Sequence, residues 1–198
     1  MIGPIAELER ALAKLPGLGR RSASRAALAL VREPGRLLQP LIAALRNADG
    51  NVRCCSRCGA FTTVGKDPCD CCTDAMRDGR VMCVVEEPAD IVSIEASGAF
   101  HGRYHALGGK LSPVHHLGPD KLRFAELRDR VMSEGIDEVI LAVSTDMDGD
   151  ATAGYAAEIL RDTGVKVSRL AFGLPADSGI AYSDPLTLKR AIRGRLGV

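Results

Sequence analysis

Apolar side chains recur every three or four residues through the first part of the chain: Ile5, Leu8, Leu12 and Leu15, then Ala23, Ala26, Ala27 and Leu30, then Leu37, Leu38, Leu41, Ile42 and Leu45. That period predicts three short helices, broken by "LPGLG" and by Pro34, with Pro40 in the first turn of the third or kinking it. Between Cys54 and Cys72 the periodicity gives way to Cys, Gly, Thr and Asp, which predicts a small knuckle too poor in apolar residues to pack alone. From about Arg80 apolar runs alternate with amphipathic stretches. "VMCVV", "RYHAL", "EVILAVS" and "KVSRLAF" read as strands; "PADIVSIEAS", "DKLRFAELRDRVM" and "DATAGYAAEILRDT" read as helices, the second preceded by the loop "GGKLSPVHHLGP". Strands alternating with helices predict an α/β fold with a mainly parallel sheet flanked by helices. The tail "DPLTLKRAIRGRLGV" reads as a short helix with a basic end. The expected division is residues 1–53, 54–78, 79–175 and 176–198.

Composition narrows the class. With 198 residues, 46% hydrophobic and 26% charged, a packed core is feasible, and no run approaches the roughly 20 apolar residues of a membrane helix. The N-terminus "MIGPIAELER" lacks the basic-then-apolar order of a secretory signal, so the cytoplasm is the default. Net charge is only +1, but residues 1–53 carry nine Lys/Arg against four acids, and the acidic clusters come after Glu86. One end is basic and the middle is acidic.

Three segments carry chemistry. In "LPGLGRRSASRAA" two glycines, Gly17 and Gly19, separate helices, and Arg20, Arg21 and Arg25 follow. Backbone N–H groups at the second helix's start can face a phosphate while the arginines neutralise its neighbours, the pattern of a helix-hairpin-helix that holds DNA without sequence preference. The bland reading is a structural corner with a glycine C-cap. Next, Cys55 with Cys58 and Cys69 with Cys72 form two Cys-x2-Cys knuckles separated by ten residues. Four thiolates at that spacing suit structural Zn²⁺ with no open coordination position. Cys54 in place of Cys55 gives Cys-x3-Cys and also remains open, Cys71 is a neighbouring competitor, and Cys83 reads as core. Finally, Glu86 and Asp90 follow one buried strand, and Asp146, Asp148 and Asp150 follow another. Strand C-terminal edges of a parallel sheet converge on one crevice, and a strand-end Glu with Asp-x-Asp is how topoisomerases and primases hold Mg²⁺. A weak Mg²⁺ site or a partner-contact surface is expected here ahead of catalysis, since Tyr104, Tyr155 and Tyr182 offer no obvious nucleophile. Asp150 also suits a helix N-cap or first turn. His101, His105, His115 and His116 read as ordinary residues of a loop-rich stretch. Neither "GKD" nor "GKL" continues into a P-loop.

The ordered set "LPGLGRRSASR", the four-cysteine knuckle, "VVEEPADIVSIE", "GRYHALGGKLSP", "GPDKLRFAELRDR", "EVILA", "DGDATAGY", "RLAFGLP" and "YSDPLTLKRAIRGR" resembles the bacterial RecR recombination mediator family over nearly the whole chain. The resemblance implies a helix-hairpin-helix, a zinc finger, a Toprim domain and a C-terminal segment with a Walker B-like strand. It also implies a non-catalytic homotetrameric ring able to encircle DNA, acting with RecO and RecF to load recombinase onto single strands coated by single-strand binding protein. In that reading Arg21 and Arg25 contact DNA, Cys55, Cys58, Cys69 and Cys72 hold zinc, Glu86, Asp146, Asp148 and Asp150 are the Toprim acids, and the protein is nucleoid-associated. Family members commonly carry Glu before the glycine of "DGDATA", so Asp146 with Asp148 keeps a metal reading open. The competing enzyme class is a Mg²⁺-dependent Toprim nuclease or topoisomerase using Glu86, Asp146 and Asp148.

Overall fold

Helical periodicity in the first 51 residues resolves into α1 (Gly3–Leu12), α2 (Arg20–Arg32) and α3 (Gln39–Asn51). The buried face of α2 is Ala23, Ala27 and Leu30, small residues at helical spacing. A π-helical turn at Pro34–Leu38 leads into α3, and Pro40 sits in the first turn of α3, where a missing N–H is tolerated. The computed structural model describes residues 3–171, 180 and 183–194 and divides the chain into two units, Met1–Arg53 and Cys54–Val198. Strand β1 (Val52–Cys54) carries the boundary, and the second unit continues with β2 (Phe61–Thr63) and the short α4 (Asp70–Thr73).

The rest of the second unit is β3 (Asp78–Val85), α5 (Pro88–Ser97), β4 (Gly102–Ala106), α6 (Phe124–Glu134), β5 (Glu138–Ala142), α7 (Met147–Leu160), β6 (Lys166–Arg169) and α8 (Pro185–Arg193). The four longer strands pair in parallel in the order β4-β3-β5-β6. β3 is central and buried from Met82 to Val85, as expected of a parallel strand covered on both faces. Its side chains alternate between two cores. Met82 and Val84 meet Phe124, Leu127, Val139, Leu141, Ala156 and Leu160, which joins α6 and α7 to the sheet. Cys83 and Val85 point to the opposite core, where they join Ile91, Tyr104, Ala106 and the four knuckle cysteines. The knuckle is therefore one of the two layers covering the sheet, and Cys83 is core, only 3% exposed.

The chain leaves β3 for β4 on one side and then places β5 on the other. That reversal opens a crevice beyond the C-terminal ends of β3 and β5. α7 begins at Met147, with Asp146 as its N-cap, three residues earlier than the sequence pattern suggests. β6 ends at Arg169, and Phe172 of the expected strand lies outside the described residues, as do Tyr182 and the rest of 176–198 other than Ile180 and 183–194. His105 falls in β4, as the strand reading of "RYHAL" expects, and is fully buried rather than an ordinary residue of a loop-rich stretch.

Candidate functional site

At the N-terminal hairpin Gly17 takes φ +78°, a left-handed conformation strained for residues with a Cβ, and Leu18 N–H bonds the Leu15 carbonyl at 3.1 Å to close the turn. Gly19 is the N-cap of α2 with extended backbone and no capping side chain. The first intrahelical bond runs from Ala23 N–H to Gly19 O at 2.9 Å, leaving the N–H groups of the preceding turn directed outward. Arg20, Arg21 and Arg25 are all exposed beside this end. An uncapped positive helix terminus flanked by three guanidinium groups can accept an anion.

In the knuckle, the Sγ atoms of Cys55, Cys58, Cys69 and Cys72 all lie within 4.8 Å of one another, and all four residues are buried. Sulfurs at the corners of a tetrahedron around zinc stand roughly 3.8 Å apart. Here Cys58 and Cys69 are 3.4 Å apart, and Cys55 and Cys72 4.0 Å, so the donor set fits a tetrahedral metal ion. Backbone N–H groups already aim at the sulfurs, Cys69 N–H at Cys55 Sγ (3.3 Å) and Ala60 N–H at Cys58 Sγ (3.4 Å). Burial opposes ionisation of Cys55, but the N–H groups of Cys58, Cys69 and Arg57 outweigh it and bring that thiol down to about 7. The Cys72 contact and then burial push Cys58 up, and burial with the neighbouring Cys58 pushes Cys69 up to about 12. A group in which Cys55 ionises readily while Cys58 and Cys69 resist it needs a cation for those further charges to form. Cys54 is exposed at the end of β1 and Cys71 is half-buried; neither joins the group.

The knuckle is bolted to the sheet by polar contacts. Ala106 N–H bonds Cys58 O (2.7 Å), Arg103 donates to Cys72 O (2.7 Å), and Arg123 donates to Ser56 O (3.0 Å) and Arg57 O (3.1 Å). Arg57 pairs with Glu134 (3.0 Å), which also holds Arg130 (2.8 Å). Arg130 in turn donates to Tyr104 O (2.7 Å) and to His105 Nδ1 (3.2 Å), so His105 presents Nε2–H to Arg123 O (2.8 Å).

In the crevice Glu86, Asp146 and Asp150 are already engaged. Glu86 Oε1 accepts from Ser144 N–H (2.8 Å) and Ser144 Oγ–H (2.7 Å). Asp146 accepts from Gly149 N–H (2.7 Å) as helix cap, lies 3.0 Å from Ser144 Oγ, and forms an ion pair with Lys110. Lys110, with help from the Gly149 N–H, holds the Asp146 carboxyl down at about 2. A Cβ at Gly149 would fall 2.2 Å from Ser144 O, so glycine is required for this close turn. Asp150 pairs with Arg169 (2.6 Å) and Arg190 (3.4 Å), while the same guanidinium groups donate to Ser144 O and Thr145 O, each at 2.6 Å. Asp148 lies in the first turn of α7, and its carboxylate makes no hydrogen bond or ion pair among the described residues. Asp90 turns away from the crevice: it forms a capping box with Glu87, accepting from Glu87 N–H at 2.8 Å. Among the described residues these acids do not assemble a group of three converging ligands as the cysteines do. Sequence reasoning missed Lys110, Ser144, Arg169 and Arg190. The only signal for Lys110 was a lone basic residue in the glycine-rich loop.

Residues 80–171 match the Toprim domain model. The chain is 44% identical over 191 residues to the Recombination protein RecR of Desulfatibacillum aliphaticivorans, covering 96% of this chain and 95% of that protein. It is 47% identical over 192 residues to the Recombination protein RecR of Caulobacter sp. strain K31, with 96% and 95% covered. Against that of Rhizobium etli strain CIAT 652 it is 46% identical over 194 residues, with 98% and 96% covered.

Proposed function

Because the chain belongs to the RecR recombination protein family, we propose that it is a recombination mediator in DNA repair, a non-catalytic DNA-binding clamp. The observation that carries the DNA-binding part is the uncapped start of α2 with Arg20, Arg21 and Arg25 exposed around it, in a segment with nine bases against four acids. Gly17 and Gly19 let the backbone approach a phosphate, and the arginines neutralise adjacent ones, which gives affinity without base readout. Residues 1–53 form the helix-hairpin-helix DNA-binding region, 54–78 the zinc finger, 79–175 the Toprim domain and 176–198 an oligomer contact. Cys55, Cys58, Cys69 and Cys72 hold Zn²⁺ as a structural ion, which supplies the charge that lets four buried thiolates coexist and leaves no position open for substrate. The family reading adds a ring tetramer, a cytoplasmic and nucleoid-associated setting, and action with RecO and RecF to load recombinase onto single strands coated by single-strand binding protein. Acids around the crevice repel phosphate and suit a basic partner protein.

The test is binding of the zinc-loaded protein to labelled duplex and single-stranded oligonucleotides across a salt series, with and without Mg²⁺, followed by a denaturing gel. Affinity should fall steeply with salt and leave the DNA intact. Charge reversal at Arg21 and Arg25 should abolish binding, whereas Asp148→Lys should spare DNA affinity and weaken partner binding. Equal loss in both variants sinks this division of labour, and Mg²⁺-dependent strand cleavage sinks the non-catalytic assignment in favour of a Toprim nuclease.

A further inference from the structure

The Toprim arrangement implies a divalent cation between the strand-end Glu86 and the Asp-x-Asp of residues 146–148, and the crevice of this chain does not fit one. Magnesium binds through one or two carboxylates whose lone pairs are turned toward it, and it keeps a shell of ordered water. Here Glu86 Oε1 is held by the Ser144 N–H and hydroxyl, Asp146 by the Gly149 N–H and Lys110, and Asp150 by two arginines, which leaves Asp148 as the one acid of this set whose carboxylate has no hydrogen bond or ion pair among the described residues. We infer that Lys110 is the crevice's resident cation and takes the place of the divalent metal.

Ordinary exposed ion pairs form and break freely; the backbone on either side of Lys110 makes this one different. Gly108 N–H and Gly109 N–H both bond Glu86 O, at 2.9 and 2.8 Å, and Leu111 N–H bonds Thr152 Oγ1 on α7 at 2.9 Å. The loop is pinned to the ends of β3 and α7 immediately before and after Lys110, so its ammonium is delivered over the gap between them. There it reaches Asp146 and lies 3.2 Å from Ser144 Oγ, the hydroxyl that also bonds Glu86. One ammonium thus pairs with Asp146 and reaches Glu86 through the Ser144 hydroxyl, the two acids on which a metal would depend. The hydrogen bond to Asp146, helped by the charges of Glu86 and Asp148, outweighs desolvation and raises the affinity of Lys110 for its proton, so the group stays charged. A divalent ion entering would have to expel this ammonium while facing the guanidinium groups of Arg169 and Arg190 at Asp150. The inference stands on the crevice alone and does not depend on whether the first unit binds DNA.

Mn²⁺ binding to the zinc-loaded full chain, read by loss of the free-ion electron paramagnetic resonance signal, tests it. Wild type and Lys110→Arg should leave the signal free at concentrations where Lys110→Met takes up Mn²⁺ ~10-fold or more tightly. The gain should vanish when Asp146→Asn is added. Lys110→Gln, which keeps a donor for Ser144 but no charge, should show the same gain and carries the test if the methionine variant fails to fold. Tight Mn²⁺ binding by wild type that Asp146→Asn removes would overturn the inference. So would a folded, uncharged Lys110 variant, with wild-type melting, that gains nothing.

Discussion

His105 has no solvent exposure, and its two ring nitrogens are fixed by Arg130 and by the Arg123 carbonyl. Burial is the main reason the imidazole is pushed down to about 3 from the usual 6.5, and the nearby Arg130 adds to it, although the Arg123 carbonyl pulls the other way. A base with a lowered folded-state value favours the folded state above its unfolded value and loses that advantage as pH falls. The contribution is therefore whole above about 6.5 and is eroded between 6.5 and 3. One unit below 6.5 the loss is ~1.4 kcal/mol. His105→Gln keeps an N–H for Arg123 O and an acceptor for Arg130 but does not titrate. Urea unfolding at pH 7.5 and 5.5 should show wild type losing more stability than this variant by about that amount. Acid release of the knuckle metal affects both proteins and drops out of the difference, and equal losses would mean His105 is not the titrating group.

Among the elements, α5 starts at a capping box in which the Glu87 and Asp90 side chains each bond the other's backbone N–H. Asp90→Ala should cost about 1 kcal/mol of stability in chemical denaturation. It should leave the Mn²⁺ uptake of a Lys110→Met protein unchanged, because Asp90 is a cap and not a crevice ligand. The helix itself was legible in Pro88 and the acids around it; the direction of the Asp90 side chain was not, since a strand-end acid serves a cap and a metal equally well on paper. The strands were legible for a related reason. Runs such as "VMCVV" and "EVILA" are apolar enough to be buried on both faces, as β3 is from Met82 to Val85. The cysteine group was legible because two-residue spacing leaves few other uses. The choice between Cys54 and Cys55 turned on where β1 ends, which spacing does not encode. Lys110 was illegible for a plainer reason: it meets Asp146 from 36 positions away, through a loop whose path is set by hydrogen bonds to Glu86 O and Thr152. His105 is similar, its burial depending on Arg130 of the later helix α6.

Taken whole, the second unit depends on its knuckle to a degree that composition alone hides. One face of the sheet is covered by α6 and α7, the other by α5 and a segment whose buried residues are mainly the cysteines themselves, Cys55, Cys58, Cys69 and Cys72, with Ala60. Without a metal those sulfurs offer little apolar contact and several reluctant ionisations, yet they roof Cys83, Val85 and Tyr104. Metal binding in such sites is folding free energy, with apparent values on the order of 10 kcal/mol in isolated zinc-binding peptides. Stripping the metal with a strong chelator under reducing conditions should therefore unroof that face and expose β4 and α5 to protease. It should also lower the melting temperature of the second unit by many degrees, while the helices of Met1–Arg53, which contain no metal-binding cysteine, keep their far-ultraviolet dichroism. Cys55→Ser should reproduce the effect, and Cys54→Ser, at an exposed position outside the group, should not. If the chelated protein melts as the loaded one does, the cysteines pack as an ordinary core and the metal contributes nothing to the fold. If Cys54→Ser is the damaging substitution, the ligand set is shifted by one residue and the roof closes on a different sulfur.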